Sequence, residues 1–345
     1  MGDNTATAAP LNPASGSVNA TGKKQYPPKQ QKTNGSSAKA KKEVRILMLH
    51  GYTQSGPLFR AKTRAVEKLV AKALAPLNLV PALIYPTAPN PLYARDIPGY
   101  EPAEGATADD ESQTDAWAWF RKDDATSNYR LLDRGMNALA EATREANEGQ
   151  ASESAVAEGD DEKQAVAVPA ATDEAKERGT IDGVIGFSQG GAMAAMLAAA
   201  METPASDSRV PPPEHAGWFN AVREANGGKP LKFAVSYSGF YATPKDLEWL
   251  YEGKVRTPTL HYIGSLDTVV DESRSQGLVE RCEEPVVVVH PGGHYVPVNR
   301  EWVMPLVGFV RRCLEGGRGR RRVYSGLVEW WCRLVLVVRY GCIRG

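Results

Sequence analysis

Apolar residues along this chain gather in short runs. Residues 44–49, 79–85, 183–187, 232–237, 259–263 and 285–290 are mostly apolar, as a group rich in Val, Ile and Leu, and bounded by Gly, Pro or Asp. A run of that length without regular polar alternation is the pattern of a strand buried on both faces, as in a parallel sheet. Between the runs the period lengthens. Residues 59–74 place Phe59, Val66, Leu69 and Val70 at helical spacing, and residues 129–146 do the same with Leu131, Leu132, Met136, Leu139 and Ala140. Strand and helix alternating along most of the chain predict an α/β fold, a mostly parallel, doubly wound sheet with helices on both faces.

The pattern stops at both ends and once in the middle. Residues 1–42 hold few large apolar side chains and many Ala, Pro, Ser, Gly, Asn and Lys, so they cannot bury enough surface to offset the entropy of ordering them, and we expect a disordered tail. An acidic stretch at about 148–179, with no aromatic residue, predicts a solvated insert within a single domain spanning residues 43–315. Residues 316–345 combine an Arg cluster with the short apolar block VEWWCRLVLVV and read as an atypical tail.

Charge and cysteine content narrow the functional classes. The formal net charge is zero, and the lysines of the first 42 residues lie in a polar segment without interleaved aromatics, which predicts no nucleic-acid partner. The start MGDNTATAAP has neither the basic nor the apolar part of a secretory signal, and no stretch reaches 18 consecutive apolar residues. The expectation is a cytoplasmic protein without stable membrane insertion, with a weak import signal at residues 39–42 that would also admit the nucleus. Cys282, Cys313, Cys332 and Cys342 fit neither a zinc site nor a CxxC pair, so no metal and no redox role is expected of them.

The candidate chemistry lies in GFSQGG, residues 186–191, which follows the apolar run at 183–187 and precedes AMAAMLAAAM. G-x-S-x-G between a strand and a helix is the pattern of a nucleophile on a sharp turn. Gly186 and Gly190 leave room for the backbone, and the N-terminus of the following helix favours negative charge beside Ser188. A serine needs a base, and the base an orienting acid, in the chain order Ser, Asp or Glu, His. Asp267 and His294 each follow an apolar run by four residues, which puts both on loops at the carboxyl edge of the sheet with Ser188. Asp271 is the rival acid, better read as a helix cap. His290 is the rival base, better read as a packed strand end. His261 reads as structural and His215 as exposed.

Acyl transfer at Ser188 would also need donors for an oxyanion. The backbone N–H of Gln189 is one candidate, and LHGYTQSG after the first strand offers Tyr52 N–H, or Thr53 N–H in its place. His50 reads as a residue that holds this turn.

Together, LMLHGYTQSGPLFRAKT, YPTAP, AWFR, IDGVIGFSQGGAMAAML, FAVSYSGF, TPTLHYIGSLDTVV and HPGGHYVP resemble the FSH family of serine hydrolases, found largely in fungi and related to the ovarian-cancer-associated serine hydrolases. The resemblance runs from residue 44 to about 314. It implies an α/β-hydrolase fold, no cofactor, and esterase or thioesterase activity on small-molecule acyl esters or thioesters, with relatives that release polyketides in secondary metabolism. By position it implies Ser188 as nucleophile, Asp267 as acid and His294 as base. It also implies Tyr93, Trp117, Trp119 and Phe120 as walls of the substrate pocket, against the plainer reading that these aromatics pack a helix on the sheet. On a helix, Trp117 and Trp119 would face different sides.

Overall fold

The short apolar runs assemble into one sheet. The computed structural model describes residues 41–97, 113–123, 125–156, 180–202 and 209–315. Six strands, β1 (Lys42–Leu49), β2 (Leu79–Ile84), β7 (Gly183–Phe187), β8 (Phe233–Tyr237), β9 (Thr259–Gly264) and β10 (Val286–His290), pair in the order β10-β9-β8-β7-β1-β2. Every pairing is parallel. Each strand lies within two residues of its predicted start and one of its predicted end, the ordinary scatter of element boundaries.

Side chains on these strands alternate between two cores. Ile46 and Met48 of β1 enter one cluster with Ile185, Phe187 and Val235, while Leu47 and Leu49 enter the other with Val184 and Ala234. Helices α1 (Gly56–Leu74) and α6 (Arg300–Leu314) cover the first face, through Phe59, Val66 and Val70 and through Val303, Leu306 and Val310. The second face carries α2 (Leu132–Val156), α3 (Gln189–Ala200), α4 (Pro213–Ala225) and α5 (Glu272–Glu280). Every residue of α3 is buried, which suits a segment so rich in Ala and Gly: it is apolar all round and thin enough to lie between sheet and outer helices.

Two sequence expectations need correction. The segment carrying DAWAWF is not helical: β3 (Asn90–Tyr93) pairs antiparallel with β4 (Gln113–Ala118), and a second small pair joins β5 (Arg121–Lys122) to β6 (Tyr129–Arg130). Helix α2, expected to end at residue 146, continues to Val156 and so takes in the first residues of the acidic stretch. The tails at 1–40 and 316–345 and the rest of that stretch, 157–179, lie outside the described residues. No helix among the described residues is long and apolar enough to cross a membrane.

Strands β1 and β7 are neighbours, yet the chain leaves β1 toward β2 on one side while β8, β9 and β10 extend on the other. That reversal makes the carboxyl ends of β1 and β7 the switch point of the topology, the place where open α/β sheets bind ligands. The turn at residues 50–54 and Ser188 both sit there.

Candidate active site

Ser188 joins β7 to α3 with φ 54° and ψ −118°, a backbone conformation that side chains other than glycine rarely adopt. Neighbouring glycines make the turn possible. A Cβ on Gly186 would stand 2.0 Å from the Gly190 carbonyl oxygen, and one on Gly190 would stand 2.2 Å from that of Leu49. The Ser188 N–H donates to the Tyr237 carbonyl at 2.8 Å, which ties the strained residue to the end of β8. Strain held this way is what aims the hydroxyl out of the sheet edge.

The structure brings Ser188, His294 and Asp267 into one hydrogen-bonded line. The Asp267 carboxylate can only accept, so the proton shared with His294 at 2.8 Å sits on Nδ1. Nε2 is then an acceptor, and the Ser188 hydroxyl donates to it at 2.9 Å. The imidazole packs on the Phe187 ring, with centroids 4.8 Å apart. Burial would raise the Asp267 pKa, but the N–H groups of Val270 and Val269 and the His294 imidazole outweigh it and hold the carboxyl below its usual range. Both valine N–H groups donate to Oδ1 at 2.9 Å, in an Asx turn that fixes the carboxylate. Such a line can draw a proton from a serine hydroxyl and hold the resulting imidazolium.

The rivals lie elsewhere. Asp271 occupies the N-cap position of α5, without a side-chain capping bond. His290 is 1 % exposed and packs against the rings of Tyr295 and Trp302, and burial lowers its pKa. His261 is buried in β9, where desolvation brings its pKa down to about 4. His215 is not an exposed loop residue: it stands in the first turn of α4, its Nε2 3.1 Å from Asp246 Oδ2 and its Nδ1 accepting from Trp218 Nε1.

On the other side of Ser188 the turn after β1 is held by a buried network. The Ala88 N–H donates to His50 Nε2 at 2.9 Å, so Nδ1 carries the proton and donates to the Gly51 carbonyl at 2.8 Å. Desolvation lowers the His50 pKa to about 4, keeping it neutral. The His50 carbonyl accepts from Trp119 Nε1 at 2.9 Å. Gln189 closes the network: its Oε1 accepts from the Trp119 N–H at 2.7 Å and its Nε2 donates to the Phe120 carbonyl at 2.9 Å. The Thr53 N–H donates to the Trp117 carbonyl and the Gln54 N–H to that of Gly51, which removes Thr53 as an oxyanion donor. The Tyr52 N–H faces no such partner among the described residues, and its side chain is pinned to the Asp96 carbonyl at 2.9 Å. Gln189 is the first residue of α3, where a backbone N–H has no acceptor within the helix.

The aromatic residues divide otherwise than expected. Trp119 and Phe120 are 0 % and 2 % exposed and belong to the core, Phe120 stacked on Tyr129 at 4.0 Å, so neither presents a wall to solvent. Trp117 is half-buried at the end of β4, its Nε1 donating to Asp115 at 3.0 Å, and Tyr93 is half-buried at the end of β3. Sequence reasoning missed the side chain of Gln189 and the two valine N–H groups. The second had a local signal, an Asp with free N–H groups two and three residues on; the first had none, since its partners lie about 70 residues away. Among the described residues no group of His, Cys, Asp and Glu side chains could hold a metal ion.

A parallel sheet covered on both faces, with a strained serine between strand and buried helix at the switch point, defines an α/β-hydrolase. The family described as serine hydrolase (FSH1) matches residues 39–306, and the chain belongs to that family. It is 30 % identical over 276 residues to Esterase OVCA2 of Danio rerio, covering 78 % of this chain and 97 % of that one. It is 28 % identical over 279 residues to Family of serine hydrolases 2 of Saccharomyces cerevisiae, covering 78 % and 96 %. A Schizosaccharomyces pombe protein named dihydrofolate reductase is 29 % identical over 260 residues, and this chain spans only 44 % of its length. Among solved structures, acyl-protein thioesterase 2 of Zea mays is 19 % identical, with 80 % of this chain and 96 % of that one covered and a TM-score of 0.43.

Proposed function

We propose that this serine hydrolase cleaves carboxylic esters by acyl transfer through Ser188, with His294 as base and Asp267 as the acid that orients it. The observation that carries the reading is the line Asp267, His294, Ser188 with contacts of 2.8 and 2.9 Å at the carboxyl edge of the sheet. His294 Nε2 takes the hydroxyl proton as Ser188 Oγ attacks the carbonyl carbon. The tetrahedral oxyanion receives the N–H groups of Tyr52 and Gln189. His294 then gives the proton to the leaving oxygen, the carbon–oxygen bond breaks, and an acyl-enzyme remains. Water, deprotonated by His294, attacks that acyl group, and the acid leaves as Ser188 regains its proton. The same steps cleave a thioester, with sulfur as the leaving atom.

The buried network beneath Tyr52 and Gln189 supports their assignment as donors, because a donor held before reaction needs no reorganisation at the transition state. We assign the border of the acyl site to Trp117, whose carbonyl is bonded to the Tyr52–Thr53 turn, and to Tyr93, leaving Trp119 and Phe120 as the packing beneath. Small to medium acyl groups fit this reading. The test is hydrolysis of a short-chain aryl ester by Ser188→Ala: the expected loss is at least on the order of 10³-fold with circular dichroism unchanged. Full turnover by that variant would sink the proposal. Labelling of the wild type at Ser188 by a small fluorophosphonate, lost in His294→Ala, is the matching positive result.

A further inference from the structure

Three large apolar side chains stand out in solvent on the loops that carry Asp267 and His294. Leu266 is 69 % exposed, Val269 62 % and Tyr295 51 %. The other exposed large apolar residues among those described, Leu58, Val80, Leu131, Val210, Val289 and Met304, are scattered over separate elements. A lone exposed leucine needs no explanation, whereas apolar residues gathered on the loops of a site do.

The two loops are locked to each other. The Leu266 N–H donates to the Gly292 carbonyl at 3.1 Å, and the Ser265 N–H to that of His290 at 2.9 Å. A Cβ on Gly264 would stand 2.6 Å from the Gly292 carbonyl oxygen, which shows how closely the His294 loop lies on the end of β9. Tyr295 folds back over Gly292, where a Cβ would stand 2.2 Å from its hydroxyl, and its ring meets that of His290 at 5.4 Å. Val269 is fixed by its N–H on Asp267. The apolar surface is thus built into the same turns that hold the acid and the base.

Chemistry says which half of a substrate comes to these loops. Resting on the function proposed above, the carbonyl oxygen points to Tyr52 and Gln189, on the β1 side of Ser188. The leaving oxygen must come within hydrogen-bonding reach of His294 Nε2, because that nitrogen delivers its proton. The alcohol half of the ester therefore departs past the His294 loop, and the acyl half lies toward the Tyr52 turn and Trp117.

We propose that Leu266, Val269 and Tyr295 form a subsite for an apolar alcohol moiety, so that the enzyme selects esters by the alkyl or aryl group they release. Selection of this kind acts on acylation alone. It raises kcat/KM as the alcohol lengthens and leaves deacylation, which no longer contains the alcohol, unchanged.

The test uses the full chain and acetate esters of ethanol, butanol, hexanol and octanol, whose alcohols are nearly equal in acidity and so in intrinsic reactivity. Covering about half of each added methylene predicts roughly a twofold rise in kcat/KM per methylene, on the order of tenfold from ethyl to hexyl. The double variant Leu266→Ser, Tyr295→Ser, which leaves the Asx turn of Asp267 as it is, should lose most of that rise while its rate of labelling by a small fluorophosphonate stays within about threefold of wild type. A second double variant, Leu58→Ser with Met304→Ser, should keep the rise. A flat series in the wild type, or an undiminished rise in the Leu266 and Tyr295 variant, overturns this inference while labelling leaves the hydrolase mechanism standing. Absence of both labelling and ester turnover in folded wild-type protein overturns the two together.

Discussion

The two sides of Ser188 are built on opposite plans. On the β1 side, His50, Trp119 and Gln189 are buried and every polar contact between them is made within the protein: Ala88 to His50, Trp119 to His50, Trp119 and Phe120 with Gln189. On the β9 and β10 side, Asp267 and His294 are half-buried on loops, with the serine hydroxyl at the end of their hydrogen-bond line and exposed apolar side chains on the same two loops. The first region can hold backbone donors still but cannot take part in proton traffic. The second ends on a hydroxyl, so a proton can pass along its line. Two histidines show the contrast: His50 is fixed as a neutral strut, while His294 presents an acceptor nitrogen to Ser188.

The sharpest way to break this comparison is Asp267→Asn. The new amide oxygen can still accept from Val269 and Val270, so the fold of the turn should survive. Its NH₂ would then face His294 Nδ1 and force the proton onto Nε2, which can no longer accept from Ser188. We expect kcat for an aryl ester to fall by on the order of 10³ to 10⁴-fold with thermal stability little changed. A loss below tenfold would mean that Asp267 does not set the tautomer, and that the two sides differ less than their geometry suggests.

Acid tests a buried histidine on each side, His50 after β1 and His261 within β9. His50 and His261 have native pKa values of about 4 against 6.5 when unfolded, chiefly through desolvation. A depressed native pKa means the unfolded chain binds the proton first, so the stabilisation is complete above about pH 6.5 and is lost as pH falls toward 4. Between pH 7.5 and pH 5 each of the two should remove about 2 kcal/mol from the free energy of unfolding, read by urea titration at the two pH values. Nitrogen-15 spectra of the imidazoles assign the effect: His50 should remain the neutral Nδ1–H form at pH 5. Titration of His50 near pH 6.5 would show that the turn after β1 opens to water and that the buried side is not fixed.

Much of this architecture was legible in the chain, for a physical reason. Strands of a sheet covered on both faces are mostly apolar, so six short runs marked the six strands of the sheet. The parallel topology then sent Ser188, Asp267 and His294, each just past a run, to one edge. What was not legible depended on contacts distant in sequence. Strand β3 is four residues containing a proline, and its partner β4 begins twenty residues after it ends; neither carries a run long enough to announce itself. Trp117 and Trp119 read equally as helix or strand by spacing alone, and the pairing of Pro91 with Trp117 decides for strand. Gln189 could be placed next to Ser188, but nothing local showed its side chain crossing to Trp119 and Phe120. The same gap hid the surroundings of Trp119, which is fully buried and braces the turn after β1 through its bond to the His50 carbonyl.

That brace gives the mildest test of the comparison. In Trp119→Phe the ring remains and the indole N–H is lost, leaving the His50 carbonyl without the donor that now lies at 2.9 Å. An acceptor stripped of its partner in a buried site costs about 1 to 3 kcal/mol. Some of that should appear as lower stability, and some as a turn at residues 50–54 that no longer holds the Tyr52 N–H in place. On the function proposed above the two are separable, because a looser turn would lower kcat by weakening the Tyr52 donor while the line from Asp267 to Ser188 is untouched. We expect a fall in midpoint stability together with roughly a tenfold loss in kcat, and fluorophosphonate labelling that still requires His294. A stability loss with kcat unchanged would make Trp119 part of the core only, and would separate the packing beneath the turn from the chemistry above it.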